Sequence, residues 1–344
     1  MNVHKQKGFS LIELMVSITI GLILLAGVLS IFFSSRVTYS TNERTARLQE
    51  NGRVALDLVT HDLRSAGYQG CSRGVPVNNS LNLPNSLLWN YIFPVQGYES
   101  DGAGAFAPAL GIGLVPAPVN DTDVVVVRAS MRDARTTRLE TDMASFTDPL
   151  TVTNTGSIAD GTVFMISDCN AADVFEATQW TSGVPNGTLD HTTAAVAGTP
   201  GNASGSVGYL YQAGASLVPL QTIIYYVGVD PVSGEPGLFR QVGTNAPELL
   251  IEGVEAMQAS YGEDTDGDRI ANFYRSADLV TNWNNIISIN VSMLIRSEEW
   301  GTSTDVKTYT LLANAVGGKT LGPYNDRRQR MMFTTTAALR NRAW

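Results

Sequence analysis

Residues 9–33 read FSLIELMVSITIGLILLAGVLSIFF, an almost unbroken apolar run that holds one carboxylate, Glu13. Coiled as an α-helix, the run would measure about 37 Å at ~1.5 Å per residue, enough to cross a ~30 Å hydrocarbon core. A carboxylate near the start of such a span costs at least about 2–3 kcal/mol on insertion scales, so Glu13 is a candidate functional residue. Directly ahead stands a short basic lead-in, His4-Lys5-Gln6-Lys7-Gly8. A secretory signal would end a shorter apolar core at a small-residue cleavage site; this run continues into a patterned helix instead. Lys5 and Lys7 hold the leading end in the cytoplasm, which puts the body across the membrane.

From Ser34 to Ala66 the chain has no proline. Leu48, Gly52, Ala55, Val59, Leu63 and Ala66 recur at spacings of three and four, an apolar stripe on one helix face. Arg53, Asp57 and His61 step by four along another face, which predicts an Arg53–Asp57 pair and makes His61 a surface residue. Gly67 is the expected stop. A helix from Phe9 to Ala66 would be roughly 85 Å long, half in the membrane and half on a globular body.

Beyond Cys71 the pattern changes to short β-type runs between turns. Strands are expected at Asp123–Ala129, Thr162–Ser167, Thr222–Val229, Leu238–Val242, Val254–Tyr261, Ile286–Ile295 and Lys307–Leu312. One long helix followed by strands predicts an α+β fold, the helix packed on an antiparallel sheet with long irregular insertions. The chain divides into 1–8, 9–33, 34–66 and a β-rich head over 67–344. Ser72–Val119, rich in Asn, Pro and Gly, and Ser182–Gly208, small and polar, are the irregular stretches; the second is expected to be a mobile surface insertion.

Lys and Arg number 23 against 32 Asp and Glu, a net charge of −9. An acidic body argues against direct nucleic-acid binding, which needs a cationic face. Cys71 and Cys169 lie beyond the membrane span, in the oxidising compartment, where a structural disulfide is expected. Closing a loop of that size stabilises by about 4–5 kcal/mol in the chain-entropy model. In Glu263-Asp264-Thr265-Asp266-Gly267-Asp268, alternate carboxylates at Asp264, Asp266 and Asp268, with Asn272 beyond, resemble the start of a calcium loop. Arg269 stands where such a loop has glycine and Arg275 where it has its bidentate glutamate. The alternative is a solvated Asp-Gly turn. Calcium is the one cofactor suggested. No nucleophile motif, phosphate loop or dinucleotide fingerprint occurs, and His61 and His191 lack ligand or triad spacing. No residue is assigned a catalytic role, and an enzyme is not expected.

The opening KGFSLIELMVSITIGLILLAGV resembles the type III signal of type IV pilins and pseudopilins. The resemblance implies that a prepilin peptidase cuts between Gly8 and Phe9 and methylates the new amine of Phe9. Without the leader's Lys5 and Lys7 the mature net charge is −11. It also implies that Glu13 meets the N-terminal ammonium of a neighbouring subunit, a costly charge made less costly by an opposite one. Three further blocks resemble the PilW-type minor pilins more specifically: Gln49–Cys71, Tyr261–Ser297 and Asp326–Trp344, together with the strand ending Ser167-Asp168-Cys169. Such proteins are low-abundance subunits, anchored once in the bacterial inner membrane with a periplasmic head and then carried into the surface pilus. With other minor pilins they are thought to prime assembly and to sit at the tip, joined to a large adhesin. The implied partners are those pilins, the major pilin, the peptidase and the inner-membrane assembly machinery. Twitching, adhesion or DNA uptake would follow downstream. The membrane helix departs from the major-pilin pattern in having no proline, only Gly21 and Gly27. A minor pseudopilin of a type II secretion system shares the anchor and is the first alternative. A stand-alone membrane-anchored binding module, which would keep its leader, is the second.

Overall fold

A computed structural model describes residues 8, 10–68, 75–131, 136–153, 156–194, 196–298, 306–312 and 315–342. Helix α1 (Leu11–Ser65) has 55 residues, about 82 Å at ~1.5 Å each. Its end is set as expected: Ala66 turns to extended backbone, Gly67 takes φ +66°, and the Gly67 N–H donates to Arg128 O at 3.0 Å. That φ strains any residue with a Cβ. Leu11 through Tyr39 is exposed, whereas the predicted stripe, Leu48 to Ala66, is buried. The expected Arg53–Asp57 pair does not form. Among the described residues the i,i+4 ion pair on this helix is Glu43–Arg47 at 2.9 Å. Exposed pairs of this kind are worth so little that spacing alone does not close them.

The strands follow in chain order. β1 (Val77–Asn79), β2 (Val95–Ser100), β3 (Phe106–Ala107), β4 (Val124–Ser130) and β5 (Thr137–Arg138) come first. β6 (Leu150–Thr153), β7 (Val163–Ser167), β8 (Ala172–Glu176), β9 (Gln179–Thr181) and β10 (Asn186–Asp190) are next. Then come β11 (Ser216–Val229), β12 (Pro236–Val242), β13 (Glu248–Glu252), β14 (Val254–Glu263) and β15 (Phe273–Arg275). β16 (Ile286–Arg296), β17 (Lys307–Leu311), β18 (Lys319–Tyr324) and β19 (Arg330–Ala338) complete the head. Every strand expected from the sequence is present, and the fold is α+β.

The largest sheet runs β1-β8-β7-β11-β4-β2-β3, with β5 and β12 also paired to β11 and β13 to β12. β11 is its spine, pairing with β7 at Ser216–Pro219 and with β4 at Leu220–Tyr225. It is buried almost throughout, and a strand covered on both faces reads as a continuous apolar run. It starts earlier than the expected Thr222 because Pro219, normally a strand breaker, is accommodated inside it. A second sheet, β6-β10-β9, closes a separate core around Leu150, Phe164, Phe175, Leu189 and Tyr211.

The C-terminal sheet runs β15-β14-β16-β19 and carries α1 on one face. Leu48, Ala55, Val59 and Leu63 meet Val125, Tyr225, Met257, Val291 and Met293, so the helix seals one core shared by both large sheets. Gly52 is required here, since a Cβ on it would lie 2.4 Å from the Phe333 ring.

Ser182–Gly208 is not the loose surface insertion expected. It contains β10 and buries His191 and Asn202. The Glu176 carboxylate accepts from Gly201 N–H at 2.6 Å and from the Thr199 hydroxyl at 2.7 Å. Asn202 Oδ1 accepts the Glu176 N–H, and Asn202 Nδ2 donates to Glu176 O. Small polar residues are packed here by hydrogen bonds rather than apolar area, which hydropathy does not register.

Candidate functional site

The site is α1 and the surfaces that receive its lower half. Ser10 precedes the helix, and its carbonyl accepts the N–H groups of Glu13 at 3.0 Å and Leu14 at 3.1 Å. Glu13 therefore lies in the first turn, where a negative charge complements the helix dipole. It is exposed among Leu11, Ile12 and Leu14 and has no ion-pair partner among the described residues. From Leu11 onward the helix shows its apolar side chains on every side, with a mean hydropathy of 2.6 in its most apolar window. At about 25 cal/mol per Å² of exposed apolar surface, such a helix demands lipid or other helices around it. Gly8 is described; Phe9, the other side of the expected cut, lies outside the described residues.

The docked half also carries a buried carboxylate outside the predicted stripe. Asp62 is 1% exposed and accepts a hydrogen bond from the Tyr225 hydroxyl of β11 at 2.6 Å. Burial and then the Asp62 charge push the Tyr225 hydroxyl well above its usual pKa. The signal was available: Ala55, Val59, Asp62 and Ala66 keep the four-three-four spacing of the buried face. His61 is on the surface as expected, its side chain 64% exposed.

An ion network ties the lower end of the C-terminal sheet. Arg330 on β19 holds Glu255 of β14 at 2.6 Å and Asp326 at 2.5 Å. Arg296 of β16 meets Glu255 at 3.1 Å and Glu235 at 2.5 Å, and Arg328 meets Glu235 at 2.9 Å. The hydrogen bond from Arg328 holds Glu235 below the usual carboxylate range, and that from Arg330 does the same for Asp326. Strands β16 and β19, which fall within Tyr261–Ser297 and Asp326–Trp344, are thus neighbours in one sheet.

At the seam between the two large sheets, the β2–β4 register carried one step past Tyr98↔Val124 sets Glu99 opposite Asp123. Burial, then the charge of Asp278, raises the Glu99 pKa to about 7, against the pull of Lys319 and the Ala277 N–H. Asp123 is pushed well up, first by burial and then by Glu99. One oxygen of each carboxylate and the Tyr261 hydroxyl have no hydrogen-bond partner.

In the acidic turn, Asp264, Asp266 and Asp268 bring one oxygen each within 4.8 Å of one another. Three carboxylates at that spacing could hold a hard cation. Asn272 does not join them: its Oδ1 accepts from the Thr265 N–H at 2.7 Å and its Nδ2 donates to Asp266 at 3.2 Å. Asp264 accepts the N–H groups of Gly267 and Arg269, which hold it below the usual range against the opposing effect of burial. Glu263, grouped with these residues in the sequence, is buried 3.6 Å from Arg275 and stands apart.

Cys169 follows β7 and lines one cleft with Tyr68, Arg138 and Gln212. Cys71 lies outside the described residues, three positions beyond Tyr68.

Residues 224–341 match the family of type IV pilus-assembly protein W, and residues 3–29 match the prokaryotic N-terminal methylation motif. No curated protein matches the chain. A type IV-like pilin from Thermus thermophilus aligns with 86% of this chain and 96% of its own at 10% identity and a TM-score of 0.35, a likeness too slight to carry an argument. The chain is thus similar to type IV pilus-assembly protein W over its C-terminal third and to the prokaryotic N-terminal methylation motif over the start of its long apolar helix, and the families it resembles are structural components of pili rather than enzymes.

Proposed function

We propose that this chain is a minor pilin that helps to prime type IV pilus assembly and stays at or near the filament tip. The prepilin peptidase cuts between Gly8 and Phe9 and methylates Phe9. Residues 9–33 then anchor the protein once in the inner membrane with the head in the periplasm. During assembly, Glu13 pairs with the N-terminal ammonium of a neighbour, and other minor pilins, the major pilin and a large tip adhesin are its partners. The observation that carries this reading is α1 itself: one half exposes apolar side chains and a carboxylate with no ion-pair partner among the described residues, and the other half is fixed in the head's main core. An apolar helix gains nothing from water when it moves from lipid to a filament, so helix packing, the Glu13 pair and head contacts must together compensate extraction.

A Cys71–Cys169 disulfide belongs to the same proposal, supported by Tyr68 and Cys169 sharing one cleft. So does a weak calcium site at Asp264, Asp266 and Asp268, supported by their convergent oxygens. The test of the main reading is mass spectrometry of filaments sheared from cells. A peptide beginning with methylated Phe9 is expected. Processed protein confined to membranes would favour a pseudopilin, and an intact leader would overturn the reading.

A further inference from the structure

β19 closes one side of the C-terminal sheet, pairing with β16 and packing on α1. The ladder with β16 runs from Arg330 to Ala338 without a register shift. It is bracketed by Ser297 N–H to Gln329 O and Leu339 N–H to Ile287 O, both 2.8 Å. Odd-numbered residues therefore turn their backbone groups to β16, and Met332, Thr334 and Thr336 turn theirs outward. Among the described residues those outward groups have no backbone partner.

Among the described residues nothing blunts this edge. Isolated domains protect such strands with charges, proline, bulges or a covering segment. Met331–Leu339 reads MMFTTTAAL, with no charge and no proline, and the side chains of Met332, Thr334 and Thr336 are exposed. At its ends the picture reverses: Arg327 precedes the edge and Arg340 follows it, both exposed.

We propose that the β19 edge receives a strand from a different pilus subunit, an extended uncharged segment flanked by carboxylates. The inference rests on the chain being a pilus subunit and names the surface it uses. The exposed arginines favour a foreign strand over a second copy. Parallel self-pairing would stack Arg327 and Arg340 each on its own copy; antiparallel self-pairing centred on Thr335 would set Arg340 against Arg330, whose charge Glu255 and Asp326 already balance. Like charges directly opposite destabilise a ladder. Acidic flanks on a foreign strand would instead meet Arg327 and Arg340. The position also suits assembly. Gln329 Nε2 donates to Thr45 Oγ1 at 3.0 Å, and Asn341 Nδ2 donates to Ala66 O at 2.8 Å. β19 therefore runs beside the docked half of α1, and a strand added to it would lie along that helix.

The test places a photo-crosslinking residue at Met332 of the full chain in pilus-forming cells, with Val232, exposed in the turn between β11 and β12, as the control site. The expected adduct forms from position 332 and not from 232. Mass spectrometry should place it in an uncharged, acid-flanked peptide of another pilin-type subunit. Thr336→Pro, which removes an outward N–H and no bond of the ladder, should cut the adduct at least tenfold. Thr336→Lys should do the same and guards against a folding defect from proline, with Tm measured for both. Adduct with a second copy of this chain, no adduct while the chain is present in sheared filaments, or adduct insensitive to both variants would overturn the proposal alone. Absence of the chain from filaments would overturn the assembly reading and this inference together.

Discussion

The two halves of α1 are one continuous helix solved in opposite ways. In the upper half, Leu11 to Tyr39, everything costly is left open: apolar side chains point in all directions and Glu13 has no counter-charge among the described residues. In the lower half, the face turned to the head is answered within the chain: the Phe333 ring lies on Gly52, and Tyr225 donates to Asp62. The helix backbone is indifferent to this contrast. What changes is whether the solvent of the side chains is the protein's own head or something it has yet to meet, and that difference locates where the molecule is incomplete.

The sharpest way to break the comparison is at the open charge. Glu13→Ala removes a carboxylate that no described residue satisfies, so the head should keep its Tm while recovery in sheared filaments falls more than tenfold. Recovery at the normal rate would remove the pairing role. Glycines give the next contrast. Gly52→Val drives a side chain into Phe333 and should cost about 1–3 kcal/mol by overpacking, read as a lower Tm of the full chain in detergent. Gly21→Val meets nothing within 4 Å and should leave that Tm unchanged. Equal effects of the two would mean that the halves are not solvated differently. Asp62→Ala leaves the Tyr225 hydroxyl buried without its acceptor, which costs about 1–3 kcal/mol. Asp62→Asn keeps an acceptor and should cost less than half of that; denaturant melts of the two variants decide.

The head buries its own carboxyls at Glu99 and Asp123, each with one oxygen unsatisfied. Glu99 is raised above its unfolded value, so between about pH 4.5 and 7 the folded state binds more protons than the unfolded one and stability falls as pH rises. The fall is complete above the folded pKa of about 7 for Glu99, and Asp123 extends it upward. Tm should therefore decline from pH 5 to 8, and Glu99→Gln should flatten that decline. A wild-type Tm that rises over the window, or an unchanged slope in the variant, would remove this seam as its source.

Much of this was legible in the chain because it rests on periodicity. The stripe from Leu48 to Ala66 and the stop at Gly67 each follow from local spacing, and each is found. The illegible parts are those where distant residues settle a polar group. Asp62 needs Tyr225, Glu176 needs Gly201 and Asn202, and Glu99 meets Asp123 through strand register. No local pattern announces such a partner. Arg53–Asp57 fails for the converse reason: spacing permits the pair, but solvent competes for both ends.

The acidic turn is the same contrast in miniature, and its effect is the smallest. Asp264 is answered internally by the N–H groups of Gly267 and Arg269. Asp266 and Asp268 are exposed, and their carboxylates still converge with that of Asp264 within 4.8 Å. Backbone donors offset part of the repulsion that would otherwise favour an ion, and Asn272 is occupied by Thr265. If this turn takes calcium as proposed, so few free ligands would place it with calcium modules of about millimolar affinity. Calcium at a concentration equal to such a Kd stabilises by about 0.4 kcal/mol, roughly 1 °C in a domain of this size. The expected result is a rise of that order with 1 mM calcium in the wild type and none in Asp266→Asn or Asp268→Asn. No rise, or the same rise in both variants, would make this a turn that satisfies itself, as the docked half of α1 does, and would leave the exposed helix half and the β19 edge as the places where the chain depends on a partner.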